Sequence, residues 1–222
     1  GVRTASDFLM ALQLTGAAKA DSLANMQVRL PVVVVGGGLT AIDTATESLA
    51  YYPIQVEKFL KRYEALVAEH GSEAVERTWT QEERAIAEEF LSHAYAIRSE
   101  RDEAATEGRQ AHVVPLLQSW GGATIAYRRL LVDSPSYTLN HEEVEKALEE
   151  GIWFGEGLTP LAIEVDAHGH AAGLKVSQHH NDGDGVWHEY GRTTLPARTI
   201  LIAAGTQPNT VLAREDAAHF QL

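Results

Sequence analysis

The chain has 222 residues, of which 45% are hydrophobic, and a net charge of −13 from 31 acidic and 18 basic side chains. That length suffices for one or two domains with a core, and the acidic balance argues against nucleic acid or an anionic membrane surface as a main partner. There is no cysteine, which excludes disulfides, thiolate-held iron–sulfur clusters and Cys-x-x-Cys redox pairs within these residues, and no apolar run approaches the roughly 18 residues of a membrane-spanning helix.

Residues 6–20 read as a first helix, with Phe8, Leu9, Leu12 and Leu14 on a rough apolar face and Ser6 or Asp7 as its cap. Residues 21–30 form a polar connector, and Pro31 stands where a strand can begin. Val32-Val33-Val34-Val35 then reads as a strand buried on both faces, followed at once by Gly36-Gly37-Gly38 and a helix from Leu39 to Leu49. Strand, glycine turn and helix are the context of a dinucleotide fingerprint, and Gly36, Gly38 and Ala41 fit its G-x-G-x-x-G/A spacing. The first glycine permits the tight turn, the second lets backbone approach a pyrophosphate, and the small third residue lets helix and strand pack closely. The helix N-terminus adds unpaired N–H groups and the positive end of a dipole. The same residues also fit a tight strand–helix turn that holds no ligand.

The helix after the turn is expected to end near Tyr51-Tyr52-Pro53, because proline disfavours helix at the residue before it. An acidic segment follows, read as a helical hairpin inserted over residues 53–118. Phe59, Tyr63, Leu66 and Val67 share one face of a helix that Gly71 ends. Thr80 with Glu83 makes a capping box for a second helix that carries Ile86, Phe90, Ala94 and Ile97 on one side and runs to about Gly108. Val113 to Leu117 is a short apolar piece interrupted by Pro115. The insert reads either as a solvated excursion or as a docking surface for another domain or subunit. Tyr51, Tyr52, Trp79 and Trp120 near its junctions read as core aromatics.

Ala123 to Tyr127 is a second strand, with Arg128 and Arg129 directly after it. In a dinucleotide fold this strand end faces the adenosine ribose, where an acid suits NAD and an arginine suits the 2′-phosphate of NADP. A guanidinium makes forked, charge-assisted bonds to phosphate, so two arginines without an acid favour NADP; the alternative is an exposed pair that offsets the acidic surface. Asn140 with Glu143 caps a helix over 141–150 that Gly151 ends, and Ile152 to Phe154 is a third strand. Leu161 to Asp166, Gly173 to Gln178 and Trp187 to Leu195 form a three-stranded antiparallel meander joined by turns at 167–170 and 181–185. His168, His170, His179, His180 and His188 crowd those turns beside Asp182 and Asp184; they read as hairpin tips, because no helical His-x₃-His or HExxH spacing supports a metal site. Thr199 to Gly205 is a last buried strand, followed by Thr206-Gln207-Pro208-Asn209. Neither G-x-S-x-G nor G-x-x-x-x-G-K-[ST] occurs, which counts against a hydrolase elbow and an ATPase phosphate loop.

Four stretches together resemble one family: Gly36 to Asp43, Ala126 to Arg129, Glu142 through Phe154, and Ala203 to Asn209. They look like the NADPH-binding part of the glutamate synthase small subunit and related FAD-dependent pyridine-nucleotide oxidoreductases, over roughly residues 1–50 and 119–215. The resemblance implies an α/β, Rossmann-like domain of the glutathione-reductase type with an antiparallel meander, here carrying a helical insertion. It implies that Gly36, Gly37, Gly38, Leu39, Thr40 and Ala41 cradle the NADPH pyrophosphate. It further implies that Tyr127, Arg128 and Arg129 meet the 2′-phosphate, and that Gly205 and Thr206 lead back toward an FAD domain. That domain, in two flanking sequence pieces, would hold FAD and lie mainly outside these residues, so that residues 1–222 read as one domain of a larger protein. Hydride passes from NADPH to flavin in such proteins, and no catalytic side chain is assigned here. Expected partners are that FAD domain and an electron-accepting subunit or domain, in the cytoplasm. The family carries Asn or Asp where this chain has Leu39, and the insert stretches the normal spacing of about 20 residues between fingerprint and ribose reader. A second reading keeps the fold with NAD as donor; a third is a non-catalytic, degenerate nucleotide domain whose helical insert docks a partner subunit.

Overall fold

The computed structural model of the chain describes residues 1–205. In chain order the elements are β1 (Val2–Thr4), α1 (Ala5–Leu14), β2 (Val32–Val35), α2 (Leu39–His70), a short α3 (Ser72–Glu76), α4 (Gln81–Glu107) and α5 (Val113–Ser119). There follow β3 (Ala123–Ala126), α6 (Pro135–Glu149), β4 (Trp153–Gly155), β5 (Leu158–Val165), β6 (Ala171–Asn181), β7 (Trp187–Pro196) and β8 (Thr199–Ile202). Five strands form a parallel sheet in the order β1-β8-β2-β3-β4, and β5-β6-β7 form a separate antiparallel sheet. The fold is α/β and Rossmann-like: β2, β3 and β4 step outward on one side, and β8 returns to the other side of β2.

The valine run explains the layering. All four valines are buried, and alternate side chains of a strand point to opposite faces. Val32 and Val34 join Ala41, Ile42, Ala45 and Leu49 of α2 in the helical core, while Val33 and Val35 join Leu158, Leu174, Val176 and Ile200 in a second core roofed by the meander. The meander is present as expected from its turns, but its first strand starts at Leu158 rather than Leu161. Pro160 is accommodated because β5 is an edge strand with a register shift between Pro160 and Ala162.

The expected helix end at Tyr51-Tyr52-Pro53 does not occur. The helix α2 continues through Pro53 to His70. A proline in a helix interior removes one hydrogen bond and costs about 3 kcal/mol. Burial on both sides of Pro53 offsets it, since Tyr51, Tyr52, Val56 and Leu60 are all buried. The same stretch holds the connector before β2. Tyr51 Oη accepts from Met26 N at 3.1 Å, and Gln55 accepts from Val28 N at 2.9 Å while donating to Val28 O at 2.8 Å. Lys58 Nζ donates to Ala17 O at 2.7 Å. The connector is therefore not a solvated polar segment: Met26, Val28 and Leu30 are buried.

Other boundaries shift for local reasons. The first helix spans Ala5–Leu14 rather than 6–20, and Thr4 caps it by accepting from Asp7 N at 3.1 Å. The Thr80–Glu83 capping box is present. Pro115 sits in the first turn of α5, where a missing N–H is harmless. The sixth helix begins six residues early, at Pro135, because Ser134 caps it and accepts from Tyr137 N at 3.2 Å. Asn140 has non-helical backbone angles, so the predicted start at 141 survives as a kink within it.

The α2–α4 hairpin is closed by Phe90, Ala94 and Ile97 on α4, all buried. At its base the Tyr52 hydroxyl lies 2.6 Å from His93 Nδ1, and the His93 ring stacks on Trp120 at 3.8 Å and 9°. Burial holds the His93 pKa below its usual value, with the Arg198 charge adding to the effect and Glu89 opposing it. The folded state thus binds fewer protons here than the unfolded chain, whose histidine titrates near 6.5. This contribution is fully present above about pH 6.5 and is lost as the pH falls below it. Urea unfolding from pH 7.5 to 5 should show a falling midpoint, and His93→Gln should flatten that part of the curve.

Candidate functional site

In an open α/β sheet the natural crevice lies beyond the carboxyl ends of the strands, where the strand order reverses direction. That point here is between β2 and β8. A cleft of about 820 Å³ occupies it, lined by the glycine turn, Tyr127, Arg128 and Gly205 together with the start of α1. Two helices, α1 and α2, begin at this cleft, so the positive ends of two helix dipoles face it.

The three glycines do different things. Gly36 has φ +152°, and a Cβ on it would lie 2.7 Å from Ala203 O, so the backbones just past β2 and β8 approach more closely than any side chain allows. At Gly37 a Cβ would run into the Tyr127 ring, which lies across the turn and meets Phe154 edge-on at 6.2 Å. Gly38 has nothing within 4 Å of its Cβ position. It is the N-cap of α2 and gives no side-chain cap bond. Among the described residues, the N–H groups of Gly37, Gly38, Leu39 and Thr40 have no hydrogen-bond acceptor. The turn is thus packed behind Gly36 and Gly37 and open in front of Gly38, with orphan donors at the opening.

The sequence candidates separate accordingly. Gly36, Gly37, Gly38, Thr40, Tyr127, Arg128 and Gly205 line the cleft. Ala41 is fully buried, where its small side chain packs the helix against the sheet. Leu39 is half-buried and Arg129 is exposed, and neither is among the residues lining the cleft. Arg129 contributes its backbone, accepting from Gly157 N at 3.2 Å. Among the described residues, neither arginine makes an ion pair. Thr206, with the Gln207-Pro208-Asn209 motif, lies outside the described residues.

Sequence reasoning missed the loop that closes this site. Ser134 and Ser136 are fully buried with their hydroxyls 3.0 Å apart, and Ser136 N donates to Gly37 O at 3.0 Å. Ser-Pro ahead of a helical stretch is an N-cap followed by an N1 proline, a signal that the Asn140–Glu143 pair overshadowed.

A second cleft, of about 780 Å³, lies between the start of α4, the connector at 25–29 and the β5–β6 turn. There His168 and His170 approach Glu82 at 3.6 and 3.0 Å; elsewhere, at the β6–β7 turn, His188 pairs with Asp182 at 3.0 Å. Among the described residues no group of three or more His, Cys, Asp or Glu side chains could hold a metal ion. No described helix is long and apolar enough to cross a membrane.

No protein-family model matches the chain. It is 37% identical over 232 residues to an uncharacterized protein of Rickettsia prowazekii (strain Madrid E), covering 99% of this chain and 30% of that protein. The chain therefore spans less than a third of that relative's length. Among solved structures it is similar to the ferredoxin reductase of the CYP199A2 system from Rhodopseudomonas palustris (12% identity, TM-score 0.37, 84% of this chain and 26% of that one). It is also similar to the covalent putidaredoxin reductase–putidaredoxin complex (14%, TM-score 0.38, 88% and 27%) and to 2-naphthoyl-CoA reductase with 2-naphthoyl-CoA (11%, TM-score 0.42, 100% and 21%).

The two ends of the glycine turn respond differently to a methyl group. Gly36→Ala should lower the unfolding free energy by about 1–3 kcal/mol, through strain and the clash with Ala203 O. Gly38→Ala should cost less than about 1 kcal/mol, the loss of a favourable N-cap residue. Urea denaturation of both variants measures the contrast.

Proposed function

We propose that the chain binds NADPH in the switch-point cleft, as the nicotinamide-nucleotide domain of an FAD-dependent oxidoreductase. One observation carries the reading: an open glycine turn with orphan N–H donors shares its cleft with Arg128, a guanidinium outside any ion pair among the described residues. The donors at Gly37 to Thr40 suit a pyrophosphate, whose charge the start of α2 also favours. Arg128, with the exposed Arg129 next to it in sequence, suits the 2′-phosphate that distinguishes NADPH from NADH. Tyr127 packs the back of the turn and fixes its shape. Gly38 is the position where a Cβ would fill the cradle.

In this reading the domain is of the glutathione-reductase type, and the resemblance of four sequence stretches to the glutamate synthase small subunit supports it. The residues 53–118 are an insertion in that domain, and Gly205 and Thr206 lead toward an FAD domain elsewhere in the polypeptide. The chemistry is hydride transfer from nicotinamide to flavin, supplied by the two cofactors when bound. This chain's part is to bind and orient the nucleotide, and no side chain in the cleft needs to exchange a proton. An electron-accepting subunit or domain and a cytoplasmic location belong to the same reading.

Calorimetric titration of the full chain with NADPH and NADH tests it. NADPH should bind about tenfold or more tightly, the size of a charge-assisted phosphate contact. The Arg128→Ala, Arg129→Ala double variant should remove that preference and leave NADH binding unchanged. Gly38→Ala should weaken both nucleotides. Equal affinities in the unaltered chain would assign NAD as the donor, and no binding of either would overturn the reading.

A further inference from the structure

We infer that Glu156 is a specificity-determining positioning residue, which holds the arginine-bearing loop where it can read a 2′-phosphate. The inference rests on the nucleotide reading above.

The loop from Tyr127 to Ser136 is fastened at both ends. Its far end is pinned to the glycine turn by the bond from Ser136 N to Gly37 O at 3.0 Å. Its near end runs beside the segment that follows β4, and four hydrogen bonds join the two. Tyr127 N donates to Gly155 O at 2.9 Å, Leu158 N to Tyr127 O at 2.8 Å and Gly157 N to Arg129 O at 3.2 Å. The fourth runs from Leu131 N to the Glu156 carboxylate, Oε1, at 2.6 Å. Three of these four join backbone to backbone, and Gly157, at φ +66° with no room for a Cβ beside His179 O, is needed for its own. The fourth alone has a side chain as its acceptor, and it is exposed to solvent.

Arg128 and Arg129 lie between these fastenings. Neither is paired with Glu156 or with any other acid among the described residues. The Glu156 carboxylate therefore acts on the loop backbone rather than on the guanidinium groups. Holding the loop before a ligand arrives removes an ordering cost from binding. Only a nucleotide that uses the arginines benefits, so the effect falls on the choice between NADPH and NADH. The opposite possibility is physical too. A carboxylate beside a phosphate site repels the phosphate, and deleting it would then strengthen NADPH binding.

Glu156→Ala and Glu156→Gln separate the two, because Gln keeps the acceptor oxygen and loses the charge. Dissociation constants for NADPH and NADH are measured by calorimetry on the full chain, with a thermal melt to confirm folding. The positioning role requires that Glu156→Ala lower the preference for NADPH by about threefold to tenfold. NADH affinity must stay constant, and Glu156→Gln must restore the preference. Tighter NADPH binding in both variants would replace positioning with charge repulsion. Equal weakening of both nucleotides, or no change in Glu156→Ala, would overturn the inference while leaving the nucleotide reading intact. A chain that shows no preference before substitution would instead remove the reading on which the inference stands.

Discussion

The architecture depends on one strand having to be buried on both faces. Val32 to Val35 has paired neighbours on either side, β3 and β8, so its backbone groups are satisfied within the sheet. Its side chains then need an apolar layer above and below. Helix α2 with α1 supplies one and the meander supplies the other. Each valine so covered gains about 1.5–2 kcal/mol at most. The gain holds the three layers in register rather than making any one of them stable alone. The chain leaves the sheet only at the strand ends, and the glycine turn is the exit.

Close packing at that exit decides what the cleft can be. Gly36 is pressed against β8 and Gly37 against Tyr127, so two of three glycines are spent on protein. The third faces open space. The turn is therefore asymmetric: it is rigid where it touches the fold and unencumbered where it faces the cleft, which is what a preorganised anion cradle requires. The Ser136 bond to Gly37 adds a second constraint. In a planar trans peptide the Gly37 carbonyl and the Gly38 N–H point in opposite directions. Fixing that carbonyl on Ser136 turns the Gly38 N–H away from the serine loop.

What was legible in the sequence was local. The valine run, the glycine spacing, the Thr80–Glu83 box and the turn residues of the meander each announce a structure through a few neighbouring residues. Where the expectation failed, a distant partner decided the outcome. Pro53 reads as a stop because the proline rule is local, and the burial that overrides it comes from the connector and α4. The connector reads as polar because Gln27, Arg29 and Asn25 dominate it, yet its apolar residues are the ones turned inward onto α2. At the site, the two arginines were visible as a pair but their division of labour was not. Arg128 reaches the cleft and Arg129 does not, which depends on how the loop is fastened to Glu156 and Gly157. No pattern within a few residues of Arg129 encodes that.

The unbroken α2 has a mechanical consequence. At 1.5 Å per residue its 32 residues form a rod about 48 Å long. The glycine turn is the tip of the short arm, and the fulcrum is the packing of Ala41, Ile42 and Ala45 on the sheet. Gln55 and Lys58 clamp the long arm to the connector, at about 25–30 Å from the tip. A stiff rod held at two points has a fixed heading. The heading of the turn over its cleft is thus set partly by an amide and an amine that do not line that cleft, and a change at either reaches it by leverage rather than by touch.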